Sequence, residues 1–170
     1  MTDKGYAGTD YDLYQEILYE NRSEKVAILE ELLTAQNLAG QRGKEINARS
    51  PFRGHVIDEE VTQYAIHLVE STDLTFGGCD WGICVYEQDR SACGGDANGP
   101  NPAHRDPYNT CFNCANFAVG ERNRPFWAGV LEQNQKILAQ PNLPDDARRV
   151  CEARIEICNT VLSDLNGEEA

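Results

Sequence analysis

The sequence predicts a mainly α protein: a helical bundle with a small zinc-knuckle and β-hairpin insertion, closed by a C-terminal antiparallel helix pair. Three observations predict it. Apolar residues recur at helical spacing over much of residues 10–38, 58–69 and 125–165. Between the second and third of these, Ser91 to Asn109 reads SACGGDANGPNPAHRDPYN, a Gly/Pro/Asn-rich stretch with almost nothing apolar to bury. Four cysteines, Cys84, Cys93, Cys111 and Cys114, lie in and beside that stretch in the order Cys-x8-Cys-x17-Cys-x2-Cys. The chain therefore divides into an N-terminal helical region (1–75), a Cys-rich zinc-binding segment (76–124) and a C-terminal helical hairpin (125–170).

The first helix is expected from Asp10 to Glu20, capped by Asp10, with Tyr11, Tyr14, Ile17 and Leu18 on one face. The second runs from Ser23 to Leu38, with Val26, Leu29, Leu32 and Leu33 as its stripe. Gly40 and Gly43 break the pattern, and residues 47–55 (NARSPFRGH) read as a loop around Pro51. Asp58 caps a third helix bearing Val61, Tyr64, Ala65, Leu68 and Val69. Phe76 to Gly82 suggests a tight turn, and Ile83 to Tyr86 a short strand, half of a hairpin. Pro125 suits the first turn of a fourth helix, with Asn123 as its cap and Pro141 beyond its end. A fifth helix starts near Pro144 and runs to Leu165. Its Cys151, Ile155, Cys158, Leu162 and Leu165 form an apolar seam at steps of four and three.

The bulk numbers exclude some classes. Of 170 residues, 41% are hydrophobic and 25% charged, the range of a soluble globular chain. No apolar run approaches the roughly 18 residues a membrane span needs. The acidic N-terminus lacks a signal core, so a cytoplasmic protein with no membrane partner is expected. A formal charge of −13 argues against broad binding to a phosphate backbone. Residues 1–76 carry 14 acids and 7 bases, whereas residues 77–125 carry 6 and 4.

Seven cysteines exclude a fully paired disulfide framework. In a reducing compartment a Cys-x2-Cys pair suits a metal or redox chemistry better than a structural disulfide. Zinc held by Cys84, Cys93, Cys111 and Cys114 would order a loop that hydrophobic burial cannot. Reduced buried cysteines and a redox dithiol are the alternatives, the latter without its usual βαβ context. Cys79, five residues before Cys84, can replace Cys84 or Cys93 as a ligand, and His104 is a further loop candidate. Cys151 and Cys158 read as small buried hydrophobes. No phosphate loop and no nucleophile motif occurs, and four cysteines would leave zinc no open position for water, so no enzyme activity is expected.

Gly82-Ile83-Cys84-Val85-Tyr86, Ser91-Ala92-Cys93-Gly94-Gly95, Gly99-Pro100-Asn101, Cys111-x2-Cys114-Ala115-Asn116-Phe117 and Arg124-Pro125-Phe126-Trp127, in this order, carry a resemblance. They resemble the cysteine-bearing C-terminal region of large integrase-like proteins of bacterial mobile elements, in the tyrosine-recombinase group. Lys4-Gly5-Tyr6-Ala7-Gly8 looks like the start of the segment preceding it. The resemblance places a cysteine at position 84, which favours Cys84 over Cys79. It implies a non-catalytic, zinc-stabilised accessory module in site-specific DNA recombination and integration. Its partner would be the recombinase core or another protomer. Tyr6, Tyr11, Tyr14 and Tyr19 have no basic cluster to make any of them a strand-cleaving nucleophile. Arg90, Arg105, Arg122 and Arg124, in the least acidic segment, are candidates for local DNA contact. The alternative is a stand-alone acidic regulator or inhibitor with a structural zinc, presenting the acid-rich face of residues 1–76 to a protein partner.

Overall fold

The computed structural model describes residues 6–168, with side chains described from residue 20. Five helices and one small sheet follow in the order α1 (Tyr6–Thr34), α2 (Gln41–Arg49), α3 (Glu59–Ser71), β1 (Thr75–Cys79), β2 (Gly82–Tyr86), β3 (Phe117–Ala118), α4 (Arg124–Leu138) and α5 (Asp145–Asn166). The architecture is mainly α with a three-stranded antiparallel sheet ordered β1-β2-β3. None of the described helices is long and apolar enough to cross a membrane.

The first two expected helices are one. α1 runs through Asp10 and Ser23, so neither residue caps a helix start. Nothing between Glu20 and Ser23 is a Gly or Pro, and each added residue of a formed helix gains a backbone hydrogen bond. Arg22 also pairs with Glu70 of α3 from this stretch. The stripe expected at Tyr11, Tyr14, Ile17 and Leu18 lies outside the described side chains, and Lys4 and Gly5 lie outside the described residues.

α2 occupies a region expected to be irregular. Gly40 precedes it with φ +79°, a conformation natural to glycine. Gly43 sits inside it, buried, because a Cβ there would approach the Leu38 Cβ to 2.9 Å. The glycine that looked like a breaker is thus the contact that lets α2 lie close to its neighbours. Asn47 ties α2 back to the end of α1, accepting from the Leu38 N–H at 2.6 Å and donating to the Ala35 carbonyl at 2.9 Å.

α3 begins as its sequence dictates. The Asp58 carboxylate accepts from the Val61 N–H at 3.0 Å, satisfying a donor that the first helical turn leaves free. Replacing Asp58 with Ala is expected to cost about 1 kcal/mol of stability, read as a lower denaturant midpoint at unchanged m-value. α1 and α3 share a buried cluster of Leu29, Leu33 and Ala65.

Successive strand residues point to opposite faces of a sheet. Phe76, Ile83 and Val85 pack with Ile28, Leu32 and Leu38 of the α1 region. Gly77 pairs with Cys84, and Cys79 with Gly82, which puts both cysteines on the opposite face. Asp80 and Trp81 make the two-residue turn between the strands. On that side Cys114, Phe117 and Val119 join Trp127 of α4 and Cys158, Val161 and Leu165 of α5 in one cluster. Shared hydrophobic clusters thus cross both the 75/76 and the 124/125 boundaries.

Asn123 does not cap α4 through its side chain. It is 3% exposed, accepts from the Gly120 N–H at 3.2 Å, and donates to the carbonyls of Cys79 and Asp80 at 3.2 and 3.1 Å. It therefore pins the hairpin turn to the start of α4. Asn123→Ala strands several buried polar groups at once, and a loss of about 2–3 kcal/mol in urea unfolding is expected. α5 starts at Asp145 as its sequence indicates, and Gly167 ends it with φ +72°. Cys151 and Cys158 are both buried on its inner side.

Candidate metal centre

The hairpin face opposite α1 carries the site. Cys79 and Cys84 stand on it as strand neighbours, and neither Gly77 nor Gly82 fills the space between them with a side chain. A Cβ at Gly82 would collide with the Phe117 ring, so that ring covers the site at this corner. From Ser91 onward the loop folds back over the face. Cys111 lies at the end of a short turn that Asp106 begins, its carboxylate accepting from the N–H groups of Tyr108 and Asn109 at 2.9 and 2.7 Å. The Cys114 N–H then donates to the Cys111 carbonyl at 2.9 Å, closing a tight return between the two cysteines.

All four expected ligands, Cys84, Cys93, Cys111 and Cys114, line one small cavity of about 20 Å³ together with Cys79. That is room for one water or one monatomic ion. As placed, no three His, Cys, Asp or Glu side chains among the described residues stand close enough to hold a metal ion. All seven cysteines carry free thiols.

Donors converge on the sulfurs. Cys93 Sγ receives the Asn101 N–H at 3.3 Å and lies 3.1 Å from the Ser91 hydroxyl. Cys114 Sγ receives the Ala92 N–H at 3.5 Å. The Trp81 indole N–H is buried with no hydrogen-bond partner among the described residues, and the group it approaches is the Cys111 thiol. An unpaired buried donor is costly, and an anionic sulfur would satisfy it. Two S–H groups are directed at carbonyls, that of Cys79 at Gly82, 3.2 Å away, and that of Cys114 at Arg90, 3.9 Å away.

The electrostatics follow from crowding. Burial, then the neighbouring Cys114 and Cys93 thiols, push Cys84 up to about 12. Burial likewise raises Cys79 and Cys111. At Cys93 burial pushes upward, but the Ser91 hydroxyl and the Asn101 and Gly95 amides outweigh it and lower the thiol. Four thiolates lining one small cavity would repel one another, and a divalent cation would remove that repulsion.

His104 turns away from the sulfurs, its Nδ1 lying 3.2 Å from the Cys93 carbonyl oxygen. The four arginines do not form one patch. Arg90 makes a two-pronged pair with Glu45 at 2.6 and 2.9 Å. Arg122 pairs with Glu31 of α1 at 2.7 Å. Arg124 grips Glu121 at 2.6 and 2.7 Å and reaches Asn166 at 3.1 Å. Arg105 alone enters the cysteine cavity.

Sequence reasoning did not single out Ser91, Trp81 or Phe117 as parts of the site. Ser91 stands two residues before Cys93, a spacing at which a hydroxyl reaches its own loop backbone, and the Gly95 N–H does approach it at 3.5 Å. Trp81 and Phe117 carry no such local signal, because only chain reversal brings them to the thiols. Neither a protein-family model nor a curated protein nor a solved structure matches this chain.

Proposed function

We propose that this chain is a non-catalytic module held in shape by a structural zinc on Cys84, Cys93, Cys111 and Cys114. We further propose that it serves a DNA integrase of a bacterial mobile element as a protein-binding accessory part. The observation that carries the zinc reading is that these thiols line one cavity sized for a single ion, with N–H and O–H groups turned toward Cys93 and Cys114. Four thiol ligands suit zinc by softness, and zinc asks nothing of geometry beyond a tetrahedron. Uptake would draw the sulfurs inward from the positions they hold as free thiols. The bound ion would supply cross-linking and charge neutralisation. A completed four-sulfur shell leaves no site for substrate, and the proposal assigns no catalytic residue.

The integrase part rests on the resemblance at residues 82–138. In this reading α4 and α5 act as an antiparallel helical hairpin, and the recombinase core or another protomer is the partner. Metal analysis tests the first part. Protein purified without added zinc is expected to hold about one equivalent of a transition metal, the stoichiometry of one closed four-ligand site. A content well below that, of any such metal, removes the zinc.

Direct DNA contact is the weaker component. Arg90, Arg122 and Arg124 already hold carboxylates, and each would have to release one to take a phosphate. A duplex titration at low salt is expected to show no binding at micromolar protein. Binding that weakens with salt, by about 0.9 log units per log unit for each phosphate neutralised, would place the arginines on DNA.

The acid excess of residues 1–76 favours a second reading, a stand-alone acidic regulator of a basic protein. Binding assays with purified candidates separate the two: a recombinase subunit supports the first, a basic nucleic-acid-binding protein the second.

A further inference from the structure

We infer that Arg105 is the charge-compensating residue of the thiolate centre, a positioning cation for a bound divalent metal rather than a DNA contact. The inference rests on the zinc reading above.

Arg90, Arg122 and Arg124 each hold a carboxylate. Arg105 holds none among the described residues, in a chain with 28 acidic residues. Its Nη2 instead donates to the Gly78 carbonyl at 3.3 Å, and its side chain lines the cavity shared by the five cysteines. Gly77 marks where the guanidinium lies. This glycine lies directly across the strand pair from Cys84, and a Cβ built there would stand 3.5 Å from Arg105 Nη2 and 3.6 Å from the Cys84 Cβ. Pro100 occupies the same bare patch, 3.4 Å from that position, and holds the returning loop down. The guanidinium thus lies against the hairpin face beside Gly77 and donates to a backbone carbonyl.

The charge balance gives this placement a purpose. A zinc dication with four thiolates carries two net negative charges. Burying an uncompensated ion is expensive, and a nearby fixed cation offsets part of that cost. A guanidinium keeps its charge throughout the accessible pH range, so the compensation does not titrate away. Its planar fork also lets one edge hold the Gly78 carbonyl while another faces the sulfurs.

Cobalt(II) is the probe, because its thiolate charge-transfer bands report ligation directly. The full chain is loaded with cobalt and titrated with a chelator of known affinity. Arg105→Met is expected to weaken cobalt binding about tenfold or more, the usual size of an outer-residue effect. Arg105→Gln keeps a donor for Gly78 but loses the charge, and is expected to weaken it similarly. Arg105→Lys is expected to restore most of the affinity, and Arg149→Met, which removes an exposed charge elsewhere, to change nothing. Far-UV circular dichroism of each loaded protein reports folding; if Arg105→Met fails to fold, the Gln and Lys variants decide. Affinity in Arg105→Met or Arg105→Gln matching wild type overturns the inference, as does failure of Arg105→Lys to restore it. If wild type binds no cobalt, the zinc reading falls and this inference with it; if wild type binds and the variants bind equally, only this inference falls.

Discussion

Stripping the proposed zinc with a strong chelator is expected to melt residues 80–118 and to leave much of the helical signal in place. Apart from Tyr108, which packs against the Trp127 cluster, the segment from Ser91 to Asn109 has little apolar burial to hold it. Its buried residue is Cys93 itself; the rest is half-buried or exposed. Fixing a backbone costs about 1–2 kcal/mol per residue, so nearly twenty ordered residues without an apolar core need another source of free energy. Structural zinc sites supply about 10–16 kcal/mol of apparent binding energy in small zinc-folded peptides, which is the right order. The helices have their own support: Leu29, Leu33 and Ala65 join α1 to α3 without any cysteine. Hydrogen exchange should therefore show lost protection from Ser91 to Cys114 and kept protection in α1 and α3. Cys111→Ser or Cys93→Ser should reproduce the pattern without chelator. Unchanged protection of the loop in metal-free protein would show that the cysteines hold it as plain buried thiols.

The second large effect is at Trp127. It is fully buried at the centre of the cluster that joins α4, α5 and the cysteine segment, and its indole N–H donates to the Trp81 carbonyl at 2.8 Å. Phe126 packs edge-on to it with ring centroids 5.2 Å apart, and Tyr108 does so at 6.3 Å. Trp127→Ala is expected to cost about 3–5 kcal/mol, the range for removing a large buried aromatic. Against a total of about 5–15 kcal/mol for a domain, that is a third or more of the stability. Trp127→Phe separates the two contributions. It keeps most of the bulk and loses the hydrogen bond, so its cost should fall well below that of the alanine variant. Chemical unfolding measures both, and a loss under about 1 kcal/mol in Trp127→Ala would mean the cluster re-forms around the gap. Because Trp81 approaches Cys111, Trp127→Ala should also weaken metal binding, which links the helical core to the site.

Local signals read correctly where the force behind them is local. Asp58 caps α3 because its carboxylate is three residues from the N–H it serves. Pro125 enters the first turn of α4, where a missing N–H costs nothing. The seam on α5 buries Cys151, Cys158 and Leu165 because those positions share one helix face. Reading failed where the deciding contact comes from far along the chain. Gly43 signals a break unless Leu38 and Ala118 are known to press against it. Asn123 looks like a helix cap, yet two of its partners are backbone carbonyls more than forty residues away.

The candidate site divides in the same way. The cysteine spacing and the poor apolar content of the loop mark Cys84, Cys93, Cys111 and Cys114 from sequence, and these four do line one cavity. Spacing does not reveal that Cys79 joins them through strand register, or that its S–H turns to a carbonyl. Nor does it separate Arg105 from Arg90, Arg122 and Arg124, which are alike in composition and near one another in sequence.

By itself, then, the sequence determined the mainly helical class, the cap of α3, the start of α4, three buried positions of the α5 seam and the cysteines that share a cavity. Each depends on residues a few positions apart, where helical or strand period and loop composition act directly. Tertiary structure alone decided that α2 exists, which hairpin face carries the thiols, and which arginine meets them. Those outcomes depend on packing and charge pairing between segments distant in sequence, which no local pattern encodes.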